Sequence, residues 1–416
     1  MYRPITKCRI CGNPNLIKVL DLGEQALTGV FPRKKNQIVT RGPLQLVKCV
    51  SSKTSCGLLQ LAHSYDLKEM YGESYGYRSG LNPSMVSHLK SKVSRILDTV
   101  DLSDNPVVLD IGSNDGTTLS AYPQTSCIRV GMDPTAKYFR SYYPPGVTII
   151  DDFFSSKRFL EEFPNKRARV VTSFSMFYDL ESPMEFVKEI SSILDDNGVW
   201  VFEQSYMPTM LERNSYDTVC HEHLEYYGLY QIHWMLSRCE LKIIDVEFND
   251  INGGSVSVTA AKKHSHFTES ADVKKVLERE HSTGLDELFP YINFAERTKK
   301  SRDGIKAFIE QAHKEGKRVG LLGASTKGNV ILQYCGITEY DVEAVGEINP
   351  DKFGAFTPGS LLPIIDETEL IERNLEYLLV LPWHFKNYFI KKYALPKTVL
   401  VFPLPILDFF ECPETL

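Results

Sequence analysis

The 416-residue chain has no apolar run near the roughly 20 residues that a membrane-spanning helix needs. Its opening, Met1-Tyr2-Arg3-Pro4, lacks the apolar core of a secretion signal, so a cytoplasmic protein without a membrane partner is expected. Long basic runs are missing too, and the formal net charge is −6, which argues against nucleic acid as the main partner. The nine cysteines are odd in number and spread over a long chain, so they do not form a disulfide framework. What is present is an ordinary globular composition, 43% hydrophobic and 24% charged. The length exceeds one ordinary core, so two or three domains are expected, in a monomer or weak oligomer.

Four cysteines cluster near the start. Cys8-Arg9-Ile10-Cys11-Gly12 is a C-x-x-C-G turn, in which both thiols can point at one ion while the turn's amides bond sulfur. Cys49 and Cys56 form a second, wider pair, and Gly57 follows the latter. Four thiolates satisfy tetrahedral zinc. The wider loop is tolerable because closure entropy grows slowly with length. Strand-like runs at 16–20 and 44–50 offer little core, so a metal would supply the missing folding energy. No histidine or carboxylate pairs with these cysteines to suggest an open position, so a closed structural site is expected over residues 1–63. The competing reading is four free thiols in a reducing compartment.

The middle segment, 64–266, reads as alternating strands and helices, hence a mainly parallel sheet. The apolar run Val107 to Ile111 leads into Gly112-Ser113-Asn114-Asp115-Gly116 and then a helix start. Gly112 and Gly116 permit a tight turn and close approach of a ligand. The loop lacks the three-glycine spacing of a dinucleotide pyrophosphate site. With Asp110, Asn114 and Asp115 it suits a cationic, amino-acid-bearing cofactor better than a diphosphate. Asp133 ends the next strand, where a ribose diol is commonly held. Asp152 and Phe153 follow the third strand and could bond and cover an adenine ring; Phe174 ends the fourth. A nicotinamide or flavin fold with a degenerate loop is the alternative.

Residues 267–416 begin with polar helical segments around Val273–Glu280 and Ser301–Gly316. A strand at 318–322 then runs into Gly323-Ala324-Ser325-Thr326-Lys327-Gly328 and a helix start. Backbone amides there, with Lys327, can hold a phosphate. Further strands at 342–348, 377–381 and 398–402 complete a second Rossmann-like unit. Gly346-Glu347-Ile348-Asn349-Pro350 and Leu381-Pro382-Trp383-His384 should face the same cleft.

Several of these stretches carry a resemblance. Tyr75 to Asn82, Asp110 to Gly116, Asp217 to Tyr227 (with Cys220-His221-Glu222-His223), Asn252-Gly253-Gly254-Ser255 and Gly323 to Asn329 resemble the sugar C-methyltransferases of antibiotic and surface-polysaccharide pathways. The resemblance covers nearly the whole chain. It implies an α/β fold: a zinc-binding module, a class I methyltransferase Rossmann-like core and a C-terminal Rossmann-like domain. It implies S-adenosylmethionine and a structural zinc ion as cofactors. Its implied substrate is a nucleotide-diphosphate 4-keto-6-deoxyhexose or a close relative, methylated through an enolate. In the family, the residues matching Glu222 and His223 sit at the sugar, and the histidine is the favoured base. Family members often carry tyrosine at Cys220 and histidine near Asp179.

The chemistry asks for such residues. Carbon is a poor nucleophile until it becomes an enolate, so the site needs a base of near-neutral pKa and a donor at the developing oxyanion. His223 suits the base, with Glu222 and His221 as further candidates. The substrate-binding candidates are Tyr75, Tyr77, Arg78, Asn82, Asp179, Cys220, Asn252, Ser325 and Lys327. Two other activities stay open. One is O- or N-methylation of the same sugar class, which needs no enolising base. The other is a nicotinamide-dependent oxidoreductase or epimerase. A non-catalytic scaffold is the third alternative.

Overall fold

The computed structural model describes residues 2–50, 54–66, 69, 78–393 and 397–411. Strand β1 (Tyr2–Pro4) pairs antiparallel with β5 (His63–Tyr65). Between them β2 (Leu16–Ala26), β3 (Arg41–Cys49) and β4 (Leu59–Leu61) form an antiparallel sheet. Leu20 and Leu22 of β2 turn inward between exposed neighbours, the period-2 pattern of a half-buried strand.

The central sheet begins with five parallel strands: β6 (Val107–Ile111), β7 (Ile128–Met132), β8 (Thr148–Ile150), β9 (Ala168–Phe174) and β10 (Leu194–Ser205). Both faces are covered. Helix α1 (Pro83–Thr99) lays Leu89, Val93 and Ile96 on one side, beside Val199 and Val201. Helix α2 (Pro183–Ile193) packs Phe186, Val187 and Ile190 on the other, against Trp200 and Phe202. Strands buried on both faces become near-continuous Val and Ile runs, which is why they are visible in the sequence.

The two-residue strand β11 (Glu225–Tyr226) leaves this sheet and joins β4, giving the N-terminal sheet the order β11-β4-β3-β2. Helix α3 (Leu229–Arg238) and strands β12 (Leu241–Asn249) and β13 (Ser255–Lys262) follow. The last two add antiparallel to β10, so the central order is β12-β13-β10-β9-β6-β7-β8.

Helices α4 (Ala271–Ser282) and α5 (Phe289–Lys314) connect to the C-terminal unit. Helix α5 starts a dozen residues before the expected Ser301, because Tyr291, Phe294 and Thr298 continue its buried face. Strands β14 (Val319–Leu322), β15 (Val345–Glu347), β16 (Ile364–Asp366), β17 (Tyr377–Val380), β18 (Val399–Phe402) and β19 (Asp408–Glu411) are ordered β16-β15-β14-β17-β18-β19. Only β19 is antiparallel to its neighbour. Helix α6 (Thr326–Cys335) follows β14. The parallel strands of the central and C-terminal sheets therefore share one winding order, and each has a ligand crevice where that order reverses, at β6/β9 and β14/β17. No helix of the described residues is long and apolar enough to cross a membrane.

Candidate active site

The glycine loop sits in the first crevice. Gly112, Asn114 and Gly116 all have left-handed backbone, with φ of 70°, 51° and 77°. Asp133 holds the loop from the neighbouring strand end: the Asn114 amide donates to its Oδ2 at 2.8 Å, and Thr135 donates to Oδ1 through amide and hydroxyl, both at 2.6 Å. Asp110 lies beneath the loop rather than in the crevice. Its carboxyl accepts from the Thr172 hydroxyl at 2.5 Å, and burial pushes its pKa up to about 7. Asp152 and Phe153 stand exposed at the end of β8, with Phe153 53% accessible, and Phe174 is half-buried at the end of β9.

The segment before α1 is fastened to this loop. Ser79 donates its amide to Asn114 Oδ1 at 2.9 Å, and Gly80 donates to Asp115 Oδ2 at 2.9 Å. Arg78 pairs with Asp115 at 3.6 Å and lies 3.9 Å over the Tyr142 ring. Asn82 caps α1, its Oδ1 accepting from Ser84. Arg78 and Asn82, expected at the substrate, thus stand at the cofactor loop. Tyr75 and Tyr77 lie outside the described residues.

The second constellation lies where the three units meet. His223 is half-buried: its Nδ1–H donates to the Thr218 carbonyl at 2.9 Å, and the ring lies 4.3 Å from that of Tyr178. Thr218 is a carbonyl acceptor, so this bond fixes the neutral tautomer and leaves the Nε2 lone pair available. Burial, and secondarily the Lys327 cation, lower the His223 pKa to about 4. Glu222 is held from the N-terminal sheet. The Thr28 hydroxyl donates to its Oε2 at 3.4 Å, and a Cβ at Gly29 would stand 2.6 Å from its Oε1, so a larger residue there would displace the carboxylate. Burial raises the Glu222 pKa. Cys220 is buried beside Glu222, and burial holds its thiol protonated. Asp179 is half-buried on the turn Phe177–Asp179 facing this group.

His221 does not join them. Its ring is fully buried against the N-terminal sheet, edge-on to Tyr65 at 4.7 Å, and burial lowers its pKa to about 4. The turn over 220–223 sets it against Tyr65 rather than beside Glu222 and His223, so the structure makes it a packing residue.

The C-terminal unit closes the cleft. Lys327 donates to the Asn252 carbonyl, where Asn252 is itself left-handed at φ 54°. Burial lowers the Lys327 pKa, while nearby Asp217 opposes that. Asp217 in turn accepts from Trp383 Nε1 at 2.9 Å. His384 stands beyond it at the end of β17, and burial, then Lys327, lower its pKa to about 3. The turn 323–328 differs from an open phosphate cradle. The Ser325 hydroxyl caps α6 by accepting from the Gly328 amide at 3.0 Å, and the Ala324 amide donates to Glu347 Oε2 at 3.0 Å. A buried carboxylate therefore already fills the place an anion would take, leaving Lys327 as the cation of this turn that faces the cleft.

Sequence reasoning missed several of these groups. Thr28 and Gly29 carry no local signal. His384 stood in a quoted strand end without a role. His88 and Glu203 form a part-buried 2.5 Å contact, extended by Lys92 at 3.0 Å and Asn249 at 2.8 Å, at the carboxyl end of β10. Isolated residues on a helix and a strand gave no hint of that pairing.

The four N-terminal cysteines converge as expected, their sulfurs all within 4.8 Å of one another. Cys8 and Cys56 are 3.5 Å apart and Cys11 and Cys49 3.7 Å, close to the edge of about 3.8 Å of a tetrahedron with 2.3 Å metal–sulfur bonds. Asn13 Nδ2 donates to Cys49 Sγ at 3.4 Å, a bond that suits a thiolate. The donor set and its spacing fit zinc.

A glycine-turned loop with acids at successive strand ends, beside a four-thiolate cluster, defines a zinc-carrying methyltransferase that uses S-adenosylmethionine. Three protein-family models match in chain order: a zinc binding domain over residues 8–71, a methyltransferase domain over 85–246 and a C-methyltransferase C-terminal domain over 250–405. The C-methyltransferase NovU of Streptomyces niveus is 28% identical over 389 residues, 92% of this chain and 91% of that one. The chain is thus similar to C-methyltransferases along nearly its whole length, domain by domain. Among solved structures, an S-adenosylmethionine-dependent methyltransferase from Clostridium acetobutylicum ATCC 824 is 11% identical, with 42% of this chain and 92% of that one covered at a TM-score of 0.32. The mitomycin 7-O-methyltransferase MmcR is 13% identical, with 42% and 54% covered at a TM-score of 0.32.

Proposed function

We propose that this chain methylates a carbon of a nucleotide-diphosphate-linked keto-deoxyhexose, at the carbon beside the 4-keto group, through an enolate. The observation that carries the reading is His223: a neutral imidazole with Nδ1–H committed to Thr218 and Nε2 free, in a cleft with Glu222 and Lys327. His223 Nε2 takes the proton beside the ketone, and the C–H electron pair becomes the enolate. The enolate carbon then forms the new C–C bond. S-adenosylmethionine supplies an electrophilic methyl group when bound, and its sulfur keeps the electron pair of the broken bond. Gly112–Gly116, Asp133, Asp152 and Phe153 would hold that donor, with Asp133 the candidate for its ribose hydroxyls and Phe153 for its adenine. Lys327 and the Asn252 turn face the diphosphate, and Asp179 and Cys220 line the sugar end.

The test uses labelled S-adenosylmethionine and a panel of nucleotide-linked 4-keto sugars in deuterated water. Gain of one carbon-bound methyl is expected, with solvent deuterium exchanging at the same carbon before transfer. A methyl on oxygen or nitrogen would sink the reading. Asp133→Asn should weaken donor binding by roughly 10- to 100-fold in calorimetric titration, the scale of a hydrogen bond to a charged group. Unchanged affinity would remove Asp133 from the donor site.

A further inference from the structure

The metal turn and the His223 block meet through one buried ion pair. Arg9 lies between Cys8 and Cys11, and its side chain is only 3% exposed. Its Nη1 donates to the Leu61 carbonyl at 2.7 Å, and Nη2 donates to the His63 carbonyl at 3.0 Å and to Ser64 Oγ at 2.9 Å. Its Nε faces Glu225 Oε1 at 3.7 Å, and the Glu225 side chain is fully buried. Glu225 is in register with Gln60, whose Oε1 accepts from the Arg9 amide at 3.1 Å. The Leu61 amide donates to the Leu224 carbonyl at 2.9 Å, so the pairing continues back toward His223. Glu225 and His223 line one small cavity together with Tyr178, Thr218 and Tyr226.

We propose that Arg9 is a positioning residue for His223: the metal-held turn delivers its guanidinium to Glu225, and this pins the short strand that sets the imidazole in the cleft. The proposal rests on the reading of His223 as the base. Burial, joined by the nearby carboxylates Asp179 and Glu181, pushes the Glu225 pKa well up, and the Arg9 guanidinium is the largest influence that holds it down. Among the described residues Arg9 is the cation paired with it. A buried carboxylate deprived of its partner must take up a proton or move. Either change disturbs β11 and the residues just before it. The structural zinc ion would hold Cys8 and Cys11 on either side of Arg9, so metal occupancy is communicated to the imidazole.

The experiment compares the full chain with Arg9→Met, Arg9→Lys and the double variant Arg9→Met/Glu225→Gln. Zinc content, kcat, KM for the methyl donor and the NMR signals of the His223 ring are measured. Arg9→Met is expected to keep its zinc, to lose kcat on the order of 100-fold as a displaced catalytic group does, and to hold KM for the donor. Its His223 signals should shift, and chelating the zinc from the unaltered protein should shift them the same way. Arg9→Lys should recover part of the loss, and the double variant most of it, because the uncompensated charge is gone. Wild-type kcat and unshifted His223 signals in Arg9→Met would overturn the proposal. So would joint loss of zinc and kcat that Glu225→Gln does not relieve. Shifted signals in Arg9→Met alongside full turnover by His223→Ala would support the coupling and discard His223 as the base.

Discussion

Replacing His223 with alanine is expected to lower kcat by about 10²- to 10⁴-fold, the range a positioned general base contributes. Affinity for S-adenosylmethionine should stay within about twofold, because the loop 112–116 is built from other elements. Single-turnover kinetics and calorimetric titration separate the two. Solvent exchange beside the ketone should vanish in the same variant; exchange that persists would assign the base elsewhere, with His88 against Glu203 the next candidate. A pH signature follows from the lowered pKa of His223, near 4 instead of 6.5. A base must be neutral to work, and a depressed value keeps it neutral further into acid. The acid limb of kcat/KM, which reports the free enzyme, should therefore lie well below 6.5, with little loss down to about pH 5. A limb near 6.5 would mean that the imidazole is not buried as described.

Cys56→Ser should remove the metal and, with it, the fold of the N-terminal sheet. Cys49 and Cys56 are both fully buried and belong to the same apolar cluster as Leu58 and Val107, so the metal would stand in for part of a core. Structural zinc contributes on the order of 10 kcal/mol to folding in small metal-bound units. Metal analysis should fall below one zinc per chain, and the thermal transition should drop or split. Because Glu222 is gripped by Thr28 and Gly29, transfer should be lost as well. A variant that melts normally and turns over without zinc would show that the cluster holds no folding energy.

Much of the architecture was legible for a physical reason. Parallel strands covered on both faces must be apolar throughout, which made β6, β7, β9 and β14 visible, and β6, β7 and β14 run directly into Gly112, Asp133 and Gly323. The hairpin β12–β13 was not. Its residues mix Lys242, Asp245 and Glu247 with the small Ser255, Ser257 and Thr259, which gives no clean period. Two residues cannot show a period at all, so β11 was invisible, and with it the link from the metal turn to His223. At the site, the convergence of the cysteine tetrad followed from spacing. The helix-capping work of Ser325 and Asn82, the fate of His221 and the clasp of Thr28 on Glu222 depend on partners far along the chain. Local chemistry cannot choose between a hydroxyl that caps and one that binds.

The β4–β11 pairing has a consequence for synthesis. As the chain leaves the ribosome, the cysteines emerge early and can capture their ion, yet residues 59–61, paired on one side with β3, find their second strand partner only after 225–226 have been made. Through that interval the nascent N-terminal sheet carries an unfilled edge, the kind of surface that recruits stray strands. A shorter product that stops before residue 225 should therefore be the aggregating species, however well it binds zinc.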